Sequence, residues 1–451
     1  MEINGAGNLS IGGCDTVMLA KKYGTPLYVV DEQGIRENCR RLSFALAKLQ
    51  VPARIIYAGK AFLTLAICRI MQEEGMGLDL VSGGELHTAV AAKFPMEKVC
   101  FHGNNKSYEE LELAITSGVG RIVVDNYYEL EMLGRIASHV GVMADILIRV
   151  TPGVSAHTHE YIQTGQEDSK FGFGLGSNQA REAALKALAM PAIRLHGFHC
   201  HIGSQIFNEE SFELAIDIMT DFVREIQDET EFVTKELNLG GGWGIRYVDG
   251  DNPMPLEDYV SFLARATQMN CQSKGLEQPL LIFEPGRALV GEMGTTLYTV
   301  GAMKDVVGHR RYLSVDGGMG DNPRYALYQA EYEAELVTKI EKPHDASFCI
   351  VGKCCESGDV IIKEISLPPA EAGDILAVFC TGAYNYSMSS NYNRLPRPAA
   401  VLVEGGEASL IIQRETYDDL LRNDILPERL GFVHNPDLAV SDDEELTDVA
   451  L

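Results

Sequence analysis

Long apolar runs are missing from this sequence: no window reaches the roughly 18–20 uninterrupted apolar residues of a membrane-spanning helix. Basic residues are scarce as well. Lys and Arg number 38 against 64 Asp and Glu, a formal net charge of −26. Nucleic acid and anionic membrane surfaces both need a basic face, so neither is expected as a partner. The start, MEINGAGNLSIGG, has no basic segment leading into an apolar one, and no secretory leader is expected. The ten cysteines stand singly apart from Cys354-Cys355 and include no CxxC pair. That speaks against a disulfide framework or a metal site and for reduced thiols in the cytoplasm. These absences say nothing yet about a substrate.

What is present is a long chain with enough apolar residues for a large core. At 451 residues, 46% of them hydrophobic, two domains are expected. From residue 54 to about 284 a short apolar run, a polar turn and a helical period repeat. The strand candidates are 54–58, 77–81, 99–102, 121–124, 145–150, 195–200, 236–239 and 279–284, with helical periods between them such as 108–117 and 209–227. Eight alternations fit a (β/α)8 TIM-type barrel better than an open doubly wound sheet. Beyond residue 290 the texture changes to β-branched runs such as TTLYTVGAMKDV, DVIIKEISL and AAVLVEGG. A second, all-β domain of sandwich or barrel type is expected there. The organisation reads as an N-terminal segment 1–35, whose strand TPLYVVD packs with the second domain, a barrel over 36–290, a β-rich domain over 291–430, and an acidic tail over 431–451.

In such a barrel the chemistry gathers at the carboxyl ends of the strands. Those positions hold Lys60, then Asp79 with SGGE, His102, Asp125, Arg149, HCHIGSQ, GGGWG and EPGR. Each has a plain structural explanation: Lys60 can be a surface lysine, the GGG run a flexible loop, His201 a satisfied core histidine. Together they make a pattern. Backbone N–H groups of neighbouring glycine loops, with the Ser204 hydroxyl, can converge on a phosphate. An imidazole at His201 can stack on a flat ring. Glu284, ending the apolar run LLIF, is costly to bury unless a cation meets it. Lysine, phosphate cradle, ring stacker and buried carboxylate point to pyridoxal 5′-phosphate. Lys60 would form the Schiff base, and Glu284 would keep the pyridine nitrogen protonated. The small residues Gly59 and Ala61 would leave room for the ring.

The motifs YAGKA, SGGEL, HGNNKS, HIGSQ, GGG, EPGR, CCESGD and GAYNYSMSSNYN, in this order from about residue 23 to 420, resemble the diaminopimelate decarboxylase family of alanine-racemase-like PLP enzymes. The resemblance implies a PLP-binding barrel, a C-terminal β-domain and a homodimer with shared active sites. It makes Lys60 the cofactor lysine and His201 the ring-stacking residue. Ser204, Gly242, Gly286 and Arg287 lie where the family holds phosphate, with Gly241 and Pro285 beside them, and Glu284 lies on the pyridine nitrogen. Tyr384 matches a tyrosine that touches cofactor and substrate. Arg287, Arg324, Tyr328 and Glu356 fall on substrate contacts. Cys355 falls on the proton donor; it and Glu356 would come from the partner subunit. Cys354 doubles the usual single thiol, and Cys355 is preferred because it directly precedes Glu356-Ser357.

The implied reaction is decarboxylation of meso-2,6-diaminopimelate to L-lysine. Charge argues the same way, because two arginines and Glu356 suit a distal head that carries both carboxylate and ammonium. Ornithine or lysine would leave the arginines unpaired. Decarboxylation of carboxynorspermidine or a basic amino acid, and a non-catalytic PLP-binding regulator, are the alternatives.

Overall fold

The computed structural model describes residues 1–154 and 168–431. The acidic residues expected to form a solvated tail, Asp437 to Asp448, lie outside the described residues.

Eight parallel strands close on themselves: Ala53–Ala58, Gly77–Leu80, Val99–Phe101, Arg121–Val124, Ala144–Thr151, Ile193–His199, Glu236–Asn238 and Leu280–Phe283. Leu281–Phe283 pairs with Ala53–Ile55 to complete the ring. Helices follow the strands, among them Tyr108–Thr116 and Glu209–Thr230. Side chains two apart on a strand share a face, so the interior is built in layers. Ile56, Cys100, Val123, Leu147 and Ile282 form an apolar cluster of their own in the middle. Below it Arg121 and Arg54 reach Glu236 at 2.7 and 3.5 Å. Two residues further along the same strands come Ala58, His102, Asp125, Arg149 and Glu284. The strands that carry Gly77, Gly197 and Glu236 contribute Asp79, His199 and Asn238 by the same step. An apolar plug therefore carries a polar floor at the carboxyl end.

A second, mixed sheet runs in the order Val360–Leu367, Ala346–Val351, Arg310–Val315, Gly294–Val306, Leu27–Asp31, Ala399–Glu404, Glu407–Ile412, with Ile375–Val378 pairing to Gly294–Val306 and Ala334–Leu336 to Ile375–Val378. Leu27–Asp31 runs antiparallel to Gly294–Leu297 and parallel to Ala399–Val403. Its side chains Leu27 and Val29 share an apolar cluster with Leu9, Ile11, Leu297 and Val401. The chain thus enters through the second sheet, and the Asp31 carboxylate caps the helix Glu32–Lys48 that leads into the barrel.

Two loops of the second unit reach back over the barrel. One holds the short helix Arg324–Tyr328, preceded by Pro323. One helical turn puts Arg324 and Tyr328 on the same side. The segment before it is anchored from below. The Tyr28 hydroxyl donates to the Asp321 carbonyl, the Tyr298 hydroxyl donates to Asp321 Oδ2 at 2.5 Å, and the Gly318 N–H donates to Oδ1 at 2.9 Å. The other loop carries Tyr384, whose N–H donates to the Ala61 carbonyl at 2.9 Å.

Burial pushes the Asp321 carboxyl up to about 7, against the hydrogen bonds from Tyr298 and Gly318. An unfolded aspartate titrates near 4, so between about pH 4 and 7 the folded chain binds the extra proton and loses stability as pH rises. Asp321→Asn, neutral throughout, should flatten that loss when urea midpoints are compared between pH 4.5 and 7.5. An unchanged slope would show that Asp321 is not its source.

Candidate active site

The polar floor is organised around one carboxylate. Glu284 is buried, and three side chains from three other strands face it. Asn238 Nδ2 donates to Oε1 at 2.6 Å, His102 Nε2 lies 2.9 Å from Oε1, and His199 Nε2 lies 3.2 Å from Oε2. Burial alone would raise its pKa, yet His102 and His199 hold it well below the usual carboxylate range. Burial pushes His199 down to about 4, so it meets Glu284 as a neutral imidazole donating from Nε2. A carboxylate has about four lone-pair sites. Asn238 and His199 hydrogen-bond to it while His102 Nε2 stands close without making a hydrogen bond, which leaves room for a further donor. The donor atoms of His102, His199 and Glu284 all lie within 4.8 Å of one another, a spacing that could hold a cation, but they are turned on each other.

Above Glu284 opens a cavity of about 670 Å³. Of the residues picked out from sequence, Lys60, His201, Ser204, Gly242, Glu284, Pro285, Gly286, Arg287, Arg324, Tyr328 and Tyr384 all line it. Lys60 stands in the tight turn Gly59–Ala61 at the end of the first barrel strand, half-buried. Burial opposes its charge, but Asp79, Tyr384 and Glu284 raise its pKa above the ordinary lysine value. His201 accepts the Gly241 N–H at Nδ1, 3.2 Å away, which leaves Nε2 as the protonated nitrogen. Burial and the nearby Lys60 push it well below the ordinary histidine value. It is a neutral, oriented ring at the cavity wall.

The glycine loops interlock. Ile206 N–H donates to the Gly242 carbonyl at 2.9 Å, and Gly244 N–H returns to Ile206 at 3.0 Å. Gly242 has φ +98°, and a Cβ there would sit 2.3 Å from the Gly203 carbonyl. No side chain fits. Gly286 packs on the lysine turn, where a Cβ would meet Ala58 and Ala61 at 3.0–3.2 Å. The small residues beside Lys60 also serve loop packing. Ala61 faces Gly286 and offers its carbonyl to Tyr384 and Ser387, while a Cβ at Gly59 would meet Leu80 Cδ2 at 2.9 Å. Trp243 is absorbed in the wall by stacking on Tyr259 with centroids 5.4 Å apart.

Arg287 and Arg324 are 7% and 6% exposed, and neither has a carboxylate partner among the described residues. Arg287 donates to the Tyr247 hydroxyl at 2.5 Å and to Ser204 Oγ at 3.0 Å; Arg324 donates to the Tyr332 hydroxyl at 2.8 Å. The Nε of each has no hydrogen-bond partner. Buried cations with spare donors call for an anion. The cavity therefore fits a phosphorylated aromatic aldehyde: an amine, a ring wall, a side-chain-free loop with spare donors, and a carboxylate with room for a further donor.

Cys355 and Glu356 do not line this cavity; both are exposed on their own chain. Cys354 is buried, and burial pushes its thiol up to about 11. Its loop is gathered by Asp359, which accepts the N–H groups of Met319 and Cys354, each at 2.6 Å. Sequence reasoning gave no role to Asn238, Tyr247 or Tyr332. The period-two step from Glu236 could have marked Asn238; nothing local marks the two tyrosines.

Residues 32–291 match the family model described as the pyridoxal binding domain of pyridoxal-dependent decarboxylases. The chain is 52% identical over 428 residues to the diaminopimelate decarboxylase of Bacillus subtilis, covering 95% of this chain and 97% of the relative. It is 45% identical to that of Mycobacterium bovis, covering 92% and 94%. The structure superposes on a crystal structure of diaminopimelate decarboxylase from M. jannaschii in complex with L-lysine with a TM-score of 0.88 at 36% identity, covering 95% and 98% of the two chains. By motif, fold and near full-length identity, this chain belongs to the diaminopimelate decarboxylase family of pyridoxal-dependent decarboxylases.

Proposed function

We propose that this chain decarboxylates meso-2,6-diaminopimelate at its D-centre, giving CO2 and L-lysine in the last step of lysine biosynthesis from that precursor. The observation that carries the substrate is the pair of buried guanidiniums, Arg287 and Arg324, sharing a cavity with Lys60 and lacking a carboxylate of their own. A substrate with a distal carboxylate satisfies them; ornithine or lysine would leave them unpaired in a dry site.

Pyridoxal 5′-phosphate, when bound, supplies the sink for the electron pair left at Cα as CO2 departs. The residues of this chain do the rest. Lys60 offers the amine that holds the cofactor's aldehyde carbon. His201, kept neutral and fixed by Gly241, forms the wall for the ring. Glu284, ionised and braced by Asn238 and His199, keeps its open lone pair on the ring nitrogen's proton. The Gly242 and Gly286 turns, Gly241, Pro285 and Ser204 would cradle its phosphate, and Arg287 would add its charge there and toward the substrate. Arg324 and Tyr328 hold the distal head, and Tyr384 closes the mouth.

Proton return to Cα falls to Cys355 of a second copy, with Glu356 receiving the distal ammonium, in a homodimer with shared sites. Their absence from the cavity of their own chain supports this, as does the exposure of Cys355 beside a buried Cys354. All ten cysteines are free, and no helix among the described residues is long and apolar enough to cross a membrane. The compartment we assign is the cytoplasm.

Incubation with meso-diaminopimelate and pyridoxal 5′-phosphate should release lysine and CO2 in equal amounts; faster CO2 release from carboxynorspermidine, ornithine or lysine would replace the substrate assignment. Lys60→Ala should lose the borohydride-trappable cofactor adduct, and an adduct that persists at the site would move the anchor elsewhere. Truncating one partner of a buried charge contact costs 2–5 kcal/mol, so Arg324→Ala should raise KM for diaminopimelate about 100-fold. An unchanged KM would sink the distal-site reading. In native protein one thiol per chain should react with a maleimide, with loss of activity. Cys355→Ser should abolish that labelling and Cys354→Ser should not; the reverse pattern would make Cys354 the donor.

A further inference from the structure

The two cavity arginines belong to a longer stack. The Arg287 guanidinium carbon lies 4.7 Å from the Tyr384 ring centroid and 5.7 Å from that of Tyr247. The Arg324 guanidinium carbon lies 4.5 Å from the Tyr247 centroid and 5.5 Å from that of Tyr332. Tyr247 and Tyr332 themselves meet edge to face, with centroids 5.8 Å apart at 81°. The order is Tyr384, Arg287, Tyr247, Arg324, Tyr332, alternating ring and cation. Tyr247 is the rung that both cations share.

Two like charges buried side by side repel, and the usual remedy is a carboxylate between them. Here Tyr247 does that work: its ring lies against Arg324, with the guanidinium carbon 4.5 Å from the centroid, and its hydroxyl accepts from Arg287 Nη1 at 2.5 Å. Ring faces carry the negative part of the quadrupole, and a desolvated guanidinium on such a face is stabilised without its edge donors being consumed. A carboxylate between the arginines would have taken more of those donors. With Tyr247 instead, the Nε of each arginine has no partner among the described residues, and Tyr247 also lines the cavity. Its backbone is fixed by a hydrogen bond from its own N–H to Asp251 Oδ2 at 2.9 Å.

We infer that Tyr247 is a positioning residue for substrate recognition: its ring face holds Arg324 and its hydroxyl holds Arg287, setting their separation while the Nε of each stays available for the distal carboxylate. This rests on the diaminopimelate reading above. Tyr332, at the far end, supports Arg324 alone by ring face and hydroxyl.

The test is a double-mutant cycle on the holoenzyme, comparing wild type, Tyr247→Leu, Arg324→Ala and the double variant by KM, kcat and cofactor absorbance. Losing a desolvated cation–π face should raise KM for diaminopimelate about tenfold in Tyr247→Leu, with kcat much less affected. Tyr247→Phe, which keeps the ring but loses the hydroxyl that accepts from Arg287, should recover the share carried by the Arg324 face. On the Arg324→Ala background, Tyr247→Leu should add distinctly less than it does in wild type, because the ring's share passes through that arginine and only the Arg287 share remains. Independent, multiplicative losses, or a Tyr247→Phe as impaired as Tyr247→Leu, would overturn the inference. If Tyr247→Leu does not load cofactor, Tyr247→Met takes its place in the same cycle and is read by the same coupling. The wild-type and Arg324→Ala arms alone report on the substrate reading, so its failure is separable from that of the stack.

Discussion

A carboxylate at the centre of a closed barrel constrains everything built around it. Glu284 stands one strand step above the apolar plug, at a depth where an unpaired charge would be expelled or neutralised. It stays ionised because polar side chains from three other strands converge on it: Asn238 and His199 hydrogen-bond to it, and His102 Nε2 stands 2.9 Å from Oε1. Only a closed ring of parallel strands brings such distant parts of the chain to one point with their side chains aligned in a layer. The acceptor capacity left over gives the cavity above its polarity.

The second unit answers with the opposite charge. The barrel supplies Arg287 from the loop after its last strand, and the mixed sheet supplies Arg324 from a one-turn helix. The helix is held at its base by two tyrosines from neighbouring sheet strands. Neither unit completes the cavity alone. The chain enters through the sheet before starting the barrel: Leu27–Asp31 lies inside the sheet, between Gly294–Val306 and Ala399–Glu404, and leads directly into the helix Glu32–Lys48. The contact between units is fastened at the lysine turn, where the Ala61 carbonyl accepts from both Tyr384 and Ser387.

Much of the site was legible in the sequence because strand–turn–helix repeats announce where the strand ends fall. Lys60, His201, Gly242, Glu284 and Gly286 each follow an apolar run, and the barrel hypothesis places all of them at one mouth. The packing of Gly286 on Ala61 was not legible, because a local window shows the neighbours along the chain and not the loop packed across from them. Tyr247 and Tyr332 escaped notice for a related reason. A tyrosine near a glycine turn is unremarkable until two guanidiniums from different segments are found on either side of it. Sequence preferred Cys355 over Cys354 by its place before Glu356; the structure adds that the Asp359-centred loop turns Cys354 inward and leaves Cys355 exposed.

The sequence by itself determined the period-two and helical rhythms, hence the barrel, the β-rich second unit and the motif set that marks the family. Those depend on local patterning, which a chain carries in its own order. Tertiary structure alone decided which charges go without partners. The ionisation of Glu284, the neutrality of His201 and the two unpaired guanidiniums are properties of burial and of neighbours far apart in the chain. The desolvation that makes them chemically useful does not exist until both units have closed around the cavity.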